Sequence, residues 1–229
     1  MNEKALIISD CHISTDDQTG ESDLIKLITH QDFSLLILLG DTFDFYFDFK
    51  NYIPENYMPI LNILKKISSE RKVVVFKGNH DMWFGDSFKK QTNAQIEDGT
   101  VEMKICGGKY LFNHGDDFCD KSLLRIIADA FLKNSSTVLL FSLIPPRTAY
   151  ALGRVVSKAT GGGEYKNKTK QMTVNIKKRL DLKSIDAVIV GHSHSSQRTE
   201  RGKIIFLGDF KRMKEFAVID EKGVRVEHI

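Results

Sequence analysis

Five short polar strings between residues 9 and 194 contain five of the seven histidines of the chain. Four of them combine histidine with aspartate, asparagine or serine, and the fifth is a glycine-aspartate pair. The strings are Ser9-Asp10-Cys11-His12, Gly40-Asp41, Gly78-Asn79-His80-Asp81, His114-Gly115-Asp116 and Gly191-His192-Ser193-His194. Imidazole nitrogens, carboxylate oxygens and amide oxygens are typical ligands of divalent transition metals. If folding brings the strings together, they provide enough ligands for two metal ions.

A short apolar run precedes each string, with at most one residue between the run and the string. The runs are rich in leucine, β-branched or aromatic residues, and their short length favours buried β-strands over helices. They are Ala5–Ile8, Leu35–Leu39, Val73–Phe76, Tyr110–Phe112 and Ala187–Val190. Because each strand delivers the polar residues after it to a sheet edge, we expect the candidate ligands to gather at one rim.

Spacing within the strings predicts which side chains share an ion. Alternate residues of an extended strand end lie on one face, so we expect Asp10 and His12 to point at the same ion while Cys11 packs in the core. Asp41 follows a glycine that permits close backbone approach, and its two carboxylate oxygens suit a ligand shared by both ions. The remaining candidate ligands are Asn79, His114, His192 and His194.

This ligand set favours Mn²⁺, Fe²⁺ or Zn²⁺ over Ca²⁺, and we expect Mn²⁺. Two such ions about 3.5–4 Å apart generate a hydroxide at neutral pH and bind the oxygens of a phosphorus centre during in-line displacement. The sequence therefore predicts phosphoester hydrolysis. In the alternative interpretation each string is structural, because glycine with aspartate is commonly a turn. Five strings in order, each after a predicted strand, argue against that alternative.

Length and composition are those of an ordinary globular enzyme. A chain of 229 residues, 41% of them hydrophobic, has the size of one α/β domain. The net charge of +3 is too small to indicate a nucleic-acid partner. Three cysteines without repeated spacing predict a reducing compartment. With no targeting segment and no apolar stretch of about 20 residues, we expect a cytoplasmic protein without an obligate protein partner.

The ordered motifs Asp-x-His, Gly-Asp, Gly-Asn-His-Asp, His-Gly-Asp and Gly-His-x-His resemble those of the calcineurin-like metallophosphoesterase superfamily. The resemblance implies an α/β fold, a four-layer α-β-β-α sandwich with a binuclear site where the strand ends meet. Carried over residue by residue, it implies one ion bound by Asp10, His12, Asp41 and His194. The other ion would be bound by Asp41, Asn79, His114 and His192.

The same resemblance implies that His80 is a catalytic residue and not a ligand. Next to Asn79, its ring can reach a phosphoryl or leaving-group oxygen and offset developing charge. Asp81 has two interpretations, which the sequence leaves open: it orients the His80 ring in a catalytic role, or it is the N-cap of the segment that follows.

A helical cap insertion is predicted at about residues 118–180, within a single domain that spans residues 1–229. Apolar residues at helical spacing predict a first helix, Val138–Ile144 forms a second segment that ends at Pro145-Pro146, and a third begins after the prolines. The first stripe is Leu123, Leu124, Ile127, Ala130 and Phe131. These apolar faces either pack on the core or line a cleft for acyl chains.

Further residues resemble one branch of the superfamily, the UDP-2,3-diacylglucosamine pyrophosphatases of the lipid A pathway. They are Asp41-Thr42-Phe43-Asp44-Phe45, His114-Gly115-Asp116 with Cys119-Asp120, Arg154 to Lys158, Asn167-Lys168 and Phe206-Leu207-Gly208-Asp209-Phe210. This resemblance implies release of UMP and 2,3-diacylglucosamine 1-phosphate (lipid X), with Mn²⁺ as activator. It also implies phosphate contacts from Arg154 and Lys168 and sugar or uridine contacts from Asp120 and Ser157, in addition to substrate contacts from Asn79, His80 and His192.

The chain departs from the best-known members of that branch at three places. His80 stands where they carry arginine, and Ser195-Ser196 follows the last metal histidine where they have Arg-Pro. The third is an extra region that contains the flexible break Gly161-Gly162-Gly163 and the basic run Lys166–Lys170. These differences predict a divergent branch.

Three functions follow from the sequence. The first is hydrolysis of a lipid-linked nucleotide diphosphate at the inner-membrane surface, where apolar cap residues flanked by Lys121, Lys133 or Arg147 would make contact. The second is a generic soluble metal-dependent phosphodiesterase or phosphatase, which a small, polar cap would favour. The third is a non-enzymatic scaffold without metals, against which the complete ligand set argues.

Overall fold

Eleven β-strands in the described part of the chain form two sheets. The structure is a computed structural model, which describes residues 3–16, 19–120, 130–132, 134–160 and 165–229. The strands are β1 (Ala5–Ile8), β2 (Leu35–Leu39), β3 (Lys72–Phe76), β4 (Gln95–Glu97), β5 (Val101–Ile105), β6 (Gly108–Asn113), β7 (Ala187–Val190), β8 (Gln197–Thr199), β9 (Ile204–Phe206), β10 (Glu215–Asp220) and β11 (Gly223–His228). The first sheet has the order β11-β10-β1-β2-β3-β4, and the second has the order β5-β6-β7-β9-β8.

Helices flank the sheets and fill the long connection between β6 and β7. They are α1 (Thr19–His30), α2 (Met58–Ser68), α3 (Asp86–Thr92), α4 (Ser135–Ser142), α5 (Pro146–Thr160), α6 (Tyr165–Arg179) and α7 (Phe210–Met213). None of the helices among the described residues combines the length and apolar character needed to cross a membrane.

The strands that precede the five polar strings are parallel and end together. In the first sheet Ile8 of β1 lies beside Leu38 of β2, which in turn lies beside Val75 of β3. In the second sheet Phe112 of β6 lies beside Ile189 of β7. The five predicted strands are therefore confirmed, and the residues that follow them emerge at the carboxyl-end rims of the sheets.

Alternating side chains of these strands build separate cores on the two faces of each sheet. Residues such as Ile7 and Ile37 pack against Phe112 and Ile189 in the space between the sheets. The opposite face of the first sheet packs on α1 and α2, and this outer core includes Cys11, as predicted. On the far side of the second sheet, α6 supplies Met172 and Ile176 to a third core, which also contains Val188 and Val190. The predicted four-layer α-β-β-α sandwich is confirmed.

The connection between β6 and β7 contains the helices expected there, as far as it is described. The predicted segment Val138–Ile144 falls largely within α4, which the Asn134 side chain caps by accepting a hydrogen bond from the Ser136 amide at 2.9 Å. The third predicted segment is α5, which begins at Pro146, where a proline suits the first turn of a helix. Leu123, Leu124 and Ile127 of the first stripe, together with the Gly161–Gly163 break, lie outside the described residues.

Helices α4 and α5 pack on an aromatic loop between β2 and α2. The Phe141 ring of α4 lies 4.8 Å from that of Phe47 and 6.1 Å from that of Phe45. Tyr150 of α5 lies 5.4 Å from the Phe45 ring, and its hydroxyl donates a hydrogen bond to the Phe47 carbonyl at 3.2 Å. The loop that begins at the Gly-Asp string therefore also carries the surface on which these two helices dock.

The other apolar side chains of this region point outward. Leu139 and Leu140 of α4 are 64% and 65% exposed, and Leu143, directly after it, is 74% exposed. Phe131 and Val155 are 63% and 67% exposed. Three of these large exposed apolar side chains lie within residues 139–143, which is unusual for a surface that contacts only water. Of the two interpretations of the predicted stripes, packing on the core thus accounts for only one face of these helices.

Candidate metal centre

The polar strings leave their strands through left-handed backbone. Asp10, His12, Asp41, His192 and His194 have φ values of 55°, 45°, 49°, 61° and 50°. The backbone at Asp10 and His12 is therefore not extended as expected, although the two side chains lie in one donor group. Such conformations cost on the order of 1–2 kcal/mol for residues other than glycine, and they persist where the surroundings over-determine them. Their concentration at this rim marks a functional site.

Hydrogen bonds between the strings hold this backbone in place. The amides of Asp10 and His12 donate to the carbonyl oxygens of Gly40 and Asp41 at 3.2 and 3.0 Å. The His192 amide donates to Asp10 Oδ2 at 2.9 Å, which ties the rim of the second sheet to that of the first. Gly78 permits the third string to approach, because a Cβ at this position would overlap Oδ1 and the amide nitrogen of Asp41.

The first donor group consists of Asp10, His12 and His194, whose ligand atoms all lie within 4.8 Å of one another. The Nε2 atoms of His12 and His194 are 3.4 Å apart, and His194 Nε2 is 3.3 Å from Asp10 Oδ1. Two nitrogens each about 2.1 Å from one ion lie about 3.4 Å apart at a tetrahedral angle. The spacing of the first donor group therefore fits a shared metal ion.

The second donor group consists of Asp41, His114 and His192, again within 4.8 Å of one another. His114 Nδ1 donates to the Leu39 carbonyl at 2.9 Å, which turns its Nε2 to within 3.3 Å of Asp41 Oδ2. Among the described residues, Asn79 Oδ1 and His192 Nδ1 are buried without a hydrogen-bond partner. Leaving buried polar atoms unpaired is costly, and a metal ion would satisfy both.

Asp41 lies between the two donor groups and is 1% exposed. Its Oδ2 is 3.3 Å from His114 Nε2 and 3.9 Å from His12 Nε2, so one oxygen faces an imidazole of each group. Its Oδ1 accepts a hydrogen bond from the His80 amide at 2.9 Å. The sequence predicted two oxygens available to two ions, whereas the structure directs a single oxygen at both groups.

The His80 ring is oriented by a backbone carbonyl. Its Nδ1 donates to the Asp44 carbonyl at 2.9 Å, and its Nε2 lies 3.9 Å from Asp41 Oδ2. His80, His12 and Asp41 also form a donor group of their own. The Nε2 atom of His80 therefore faces the centre, where it can meet either an ion or a bound substrate.

Asp81 supports the loop that carries Asp41. Its Oδ2 accepts hydrogen bonds from the amides of Thr42 and Phe43 at 2.7 and 3.2 Å, and its Oδ1 accepts one from the Gly78 amide at 2.8 Å. The interpretation of Asp81 as an N-cap is wrong, because the next helix, α3, has Gly85 as its N-cap. Burial and the nearby Asp41 carboxylate raise the pKa of Asp81 to about 7, against the effect of the amides that it accepts from.

The charges of the centre perturb its histidines in different directions. Burial by itself lowers the pKa of His194, but the carboxylates of Asp10 and Asp209 raise it to about 9. Burial likewise opposes the Asp41 and Asp10 carboxylates at His114, whose pKa nevertheless lies well above its ordinary value. At His192, burial and then the positive charges of His114 and Lys168 lower the pKa well below its ordinary value.

The predicted substrate residues lie around the centre to different extents. Lys168 reaches it, because its Nζ donates to the His192 carbonyl at 3.0 Å. The Asp120 carboxylate accepts hydrogen bonds from the side chains of Asn175, at 2.8 Å, and Gln171, so it also anchors α6. The side chains of Arg154 and Ser157 lie outside the described residues, as do Lys121 and Lys133.

Three residues at the centre were not assigned a role from sequence. Asp44 Oδ1 is 3.3 Å from His12 Nδ1, and Asp209 Oδ2 is 3.3 Å from His194 Nδ1. Lys211 Nζ donates to the His12 carbonyl at 3.2 Å. Two of them sit in quoted motifs, Asp41-Thr42-Phe43-Asp44-Phe45 and Phe206-Leu207-Gly208-Asp209-Phe210, but nothing in the spacing indicated which ring each would meet.

A cleft of about 440 Å³ opens beside the second donor group. Asn79 and His114 form its inner wall, Phe47 and Trp83 form an aromatic side, and Asp98 lies on its polar side. A molecule in this cleft would contact both the metal centre and the aromatic loop under α4.

A two-sheet sandwich with two histidine-carboxylate donor groups at its shared rim defines a class of metal-dependent phosphoester hydrolases. The chain belongs to the calcineurin-like phosphoesterase family, whose model matches residues 4–196. Divalent metal ions are part of the chemistry of this family, and the donors described above fit them.

Curated relatives align with nearly the whole chain. The UDP-2,3-diacylglucosamine hydrolase of Porphyromonas gingivalis is 25% identical, and the match covers 96% of this chain and 95% of that protein. A protein of the same name from Psychromonas ingrahamii is 24% identical and covers 83% of this chain and 80% of its own length. Among solved structures, the E. coli phosphoesterase Yfce aligns over 98% of this chain and 92% of its own, with 15% identity and a TM-score of 0.49.

Metal binding at this centre should compete with protons. With its pKa raised to about 9, His194 carries a proton at neutral pH in the metal-free protein, and a metal ligand must lose that proton. We expect the affinity for Mn²⁺ to rise as the pH is raised from 6 to 8, by about tenfold per pH unit for each proton displaced.

Calorimetric titration of the metal-free protein in two buffers of different ionisation enthalpy measures the number of protons released. The same titration of a His194→Gln variant is the control, because a glutamine has no proton to lose. Binding that releases no protons and has the same affinity at pH 6 and 8 would contradict the assignment of a charged His194.

Proposed function

We propose that the protein hydrolyses the diphosphate of UDP-2,3-diacylglucosamine to UMP and 2,3-diacylglucosamine 1-phosphate. The observation that carries this proposal is the pair of donor groups around Asp41, one oxygen of which faces an imidazole of each group. A centre of that kind suits attack on a phosphorus atom. The substrate is supported by the shared name of the curated relatives and by their alignment with most of the chain.

In this proposal Asp10, His12, Asp41 and His194 bind one ion, and Asp41, Asn79, His114 and His192 bind the other. Oxygen and imidazole ligands without a thiolate suit Mn²⁺, which we propose as the activating ion in preference to Fe²⁺ or Zn²⁺. Two bound ions would supply a hydroxide nucleophile and would withdraw charge from the phosphoryl oxygens. The left-handed backbone at Asp10, His12 and Asp41 would hold these ligands in place.

His80 is proposed to act on the substrate through Nε2. Because its Nδ1 donates to the Asp44 carbonyl, Nε2 faces the centre, and in the imidazolium form this nitrogen carries the second proton. From there it can donate to a phosphoryl oxygen or to the oxygen of the leaving group, in both cases offsetting negative charge. Asp81 contributes indirectly, since its carboxylate fixes the amides of the loop that carries Asp41.

Residues 118–180 are proposed to cap the active site of a single domain and to hold the acyl chains. The exposed side chains of Leu139, Leu140 and Leu143 provide apolar surface for them. A small, polar cap would instead have favoured the alternative of a generic soluble phosphodiesterase. Lys168 and Arg154 are proposed to contact the diphosphate, and Asp120 and Ser157 the glucosamine or uridine.

The same apolar surface is proposed to place the enzyme on the cytoplasmic face of the inner membrane. Its substrate carries two acyl chains, so an enzyme without a spanning helix among its described residues must meet it at the lipid surface. Arg147 is exposed at the start of α5, where it is placed to interact with anionic headgroups.

Purified protein supplied with Mn²⁺ should release UMP from UDP-2,3-diacylglucosamine, while Asp41→Ala should abolish turnover because both ions lose a ligand. The assay is chromatographic detection of UMP, with bis-p-nitrophenyl phosphate as a generic diester control. Turnover of the generic diester alone would move the assignment to a soluble phosphodiesterase. Full activity of Asp41→Ala would show that the shared ligand is wrongly assigned.

A His80→Ala variant should retain both metal ions but turn over about 10²–10⁴-fold more slowly, because the group that offsets charge at the phosphoryl oxygen is lost. Elemental analysis of the purified variant checks the metal content, and kcat is measured with saturating Mn²⁺. His30→Ala is the matched control, since His30 is exposed at the end of α1 and lies in none of the strings. Equal kcat values for His80→Ala and the wild type would reduce His80 to a packing residue.

Membrane binding is predicted to depend on the exposed leucines. In sedimentation with vesicles of phosphatidylethanolamine and phosphatidylglycerol, the wild type should pellet and a Leu139→Ser, Leu143→Ser double variant should stay in the supernatant. Ile229→Ser removes a similarly exposed apolar side chain away from the cap and should behave as the wild type. If the wild type partitions equally with and without vesicles, the protein does not bind membranes through the cap.

A further inference from the structure

The two histidines of the first donor group are each held from behind by a carboxylate that is not in any donor group. Asp44 Oδ1 is 3.3 Å from His12 Nδ1, and Asp209 Oδ2 is 3.3 Å from His194 Nδ1. Because each Nδ1 faces its carboxylate, both Nε2 atoms point inward, where they lie 3.4 Å apart. A carboxylate in this position fixes the tautomer and the ring orientation of a metal-binding histidine and makes the ring a stronger ligand.

A single short helix connects these two carboxylates. Asp209 is the N-cap of α7 and accepts a hydrogen bond from the Arg212 amide at 3.2 Å. From the first turn of α7, Lys211 donates to the His12 carbonyl at 3.2 Å, and its Nζ lies 3.8 Å from Asp44 Oδ2. The helix contributes no residue to the donor groups, yet it contacts the supports of both histidines.

The second donor group has a different environment. The Nδ1 of His114 is held by the carbonyl oxygen of Leu39, which carries no net charge. The Lys168 ammonium lies against the His192 carbonyl, and the Asp116 carboxylate acts electrostatically on His114, so these two nearby charges have opposite signs. Around the first group, Asp10, Asp44 and Asp209 are opposed by Lys211 and by the exposed Arg212, whose Nε is 3.7 Å from Asp209.

We infer that Asp44 and Asp209 are positioning residues for His12 and His194, and that they make the first donor group the tighter of the two metal sites. The ions are therefore taken up in order, the first at Asp10, His12 and His194 and the second at Asn79, His114 and His192. This inference rests on the proposed binuclear centre and adds to it an order of filling. It follows from the two carboxylates that orient the imidazoles of the first group, whereas in the second group a neutral backbone carbonyl orients His114.

The test is a titration of the metal-free protein with Mn²⁺, followed by electron paramagnetic resonance and by calorimetry. In the wild type, the first equivalent should give the signal of an isolated ion, and the second should convert it to that of a coupled pair. Asp44→Asn and Asp209→Asn should each weaken the first step by about 10–100-fold and leave the second step nearly unchanged. Asparagine at position 209 retains an N-cap for α7, so the substitution removes the charge while it keeps the helix.

Asp23→Asn is the matched control, because it removes a carboxylate that pairs with Lys214 at the end of α7, at 2.7 Å, without meeting an imidazole. It should titrate as the wild type does. Far-ultraviolet circular dichroism verifies that each metal-free variant is folded. If Asp209→Asn fails to fold, Asp44→Asn, which caps no helix, decides the question.

Two outcomes would overturn the inference: a wild type that fills both sites with equal affinity, or an unchanged first step in both the Asp44→Asn and the Asp209→Asn variants. A wild type that binds no Mn²⁺ by either method would instead overturn the proposed function itself. The order of filling and the existence of the centre are thus tested by different results of one titration.

Discussion

A buried aspartate at the junction of two sheets is the constraint on which the rest of this site depends. Asp41 accepts a hydrogen bond from the His80 amide, faces His114 with its other oxygen, and through its own carbonyl holds the His12 amide. An anionic side chain that is 1% exposed needs positive charge or donors around it. Gly78 lets the third string approach Asp41 closely, and the three hydrogen bonds accepted by Asp81 hold the two loops together.

Electrostatics then explains why the centre is both strained and strongly charged. Asp10, Asp41 and Asp81 are all buried at the same rim. The carboxylates of Asp10 and Asp41 raise the pKa of His114, and those of Asp10 and Asp209 raise the pKa of His194, above the ordinary range of an imidazole. Cations and protons therefore have the same electrostatic role here. The backbone stays in its costly conformation because hydrogen bonds join the first string to the second and to the fifth.

Much of this arrangement could be predicted from the sequence, since it depends on patterns of side-chain type. The apolar runs Ala5–Ile8, Leu35–Leu39 and Ala187–Val190 predicted three strands to the residue, and the family resemblance of the ordered strings implied the sandwich. The left-handed backbone at Asp10 and His12 could not be read in this way, because it results from hydrogen bonds to Gly40 and Asp41, which are distant in the chain. The same limit applies to Asp81, whose three donors come from two separate loops.

The loop after β2 carries two attachments a few residues apart. Asp44 supports the His12 ring, while the rings of Phe45 and Phe47 form the surface on which Phe141 and Tyr150 pack. A ligand that displaces α4 and α5 from these rings must therefore disturb Phe45, the residue next to Asp44. By thermodynamic linkage, metal binding beside Asp44 would change the free energy of displacing those helices by the same amount. Residues 44–47 therefore couple binding at the apolar surface to binding at the metal centre.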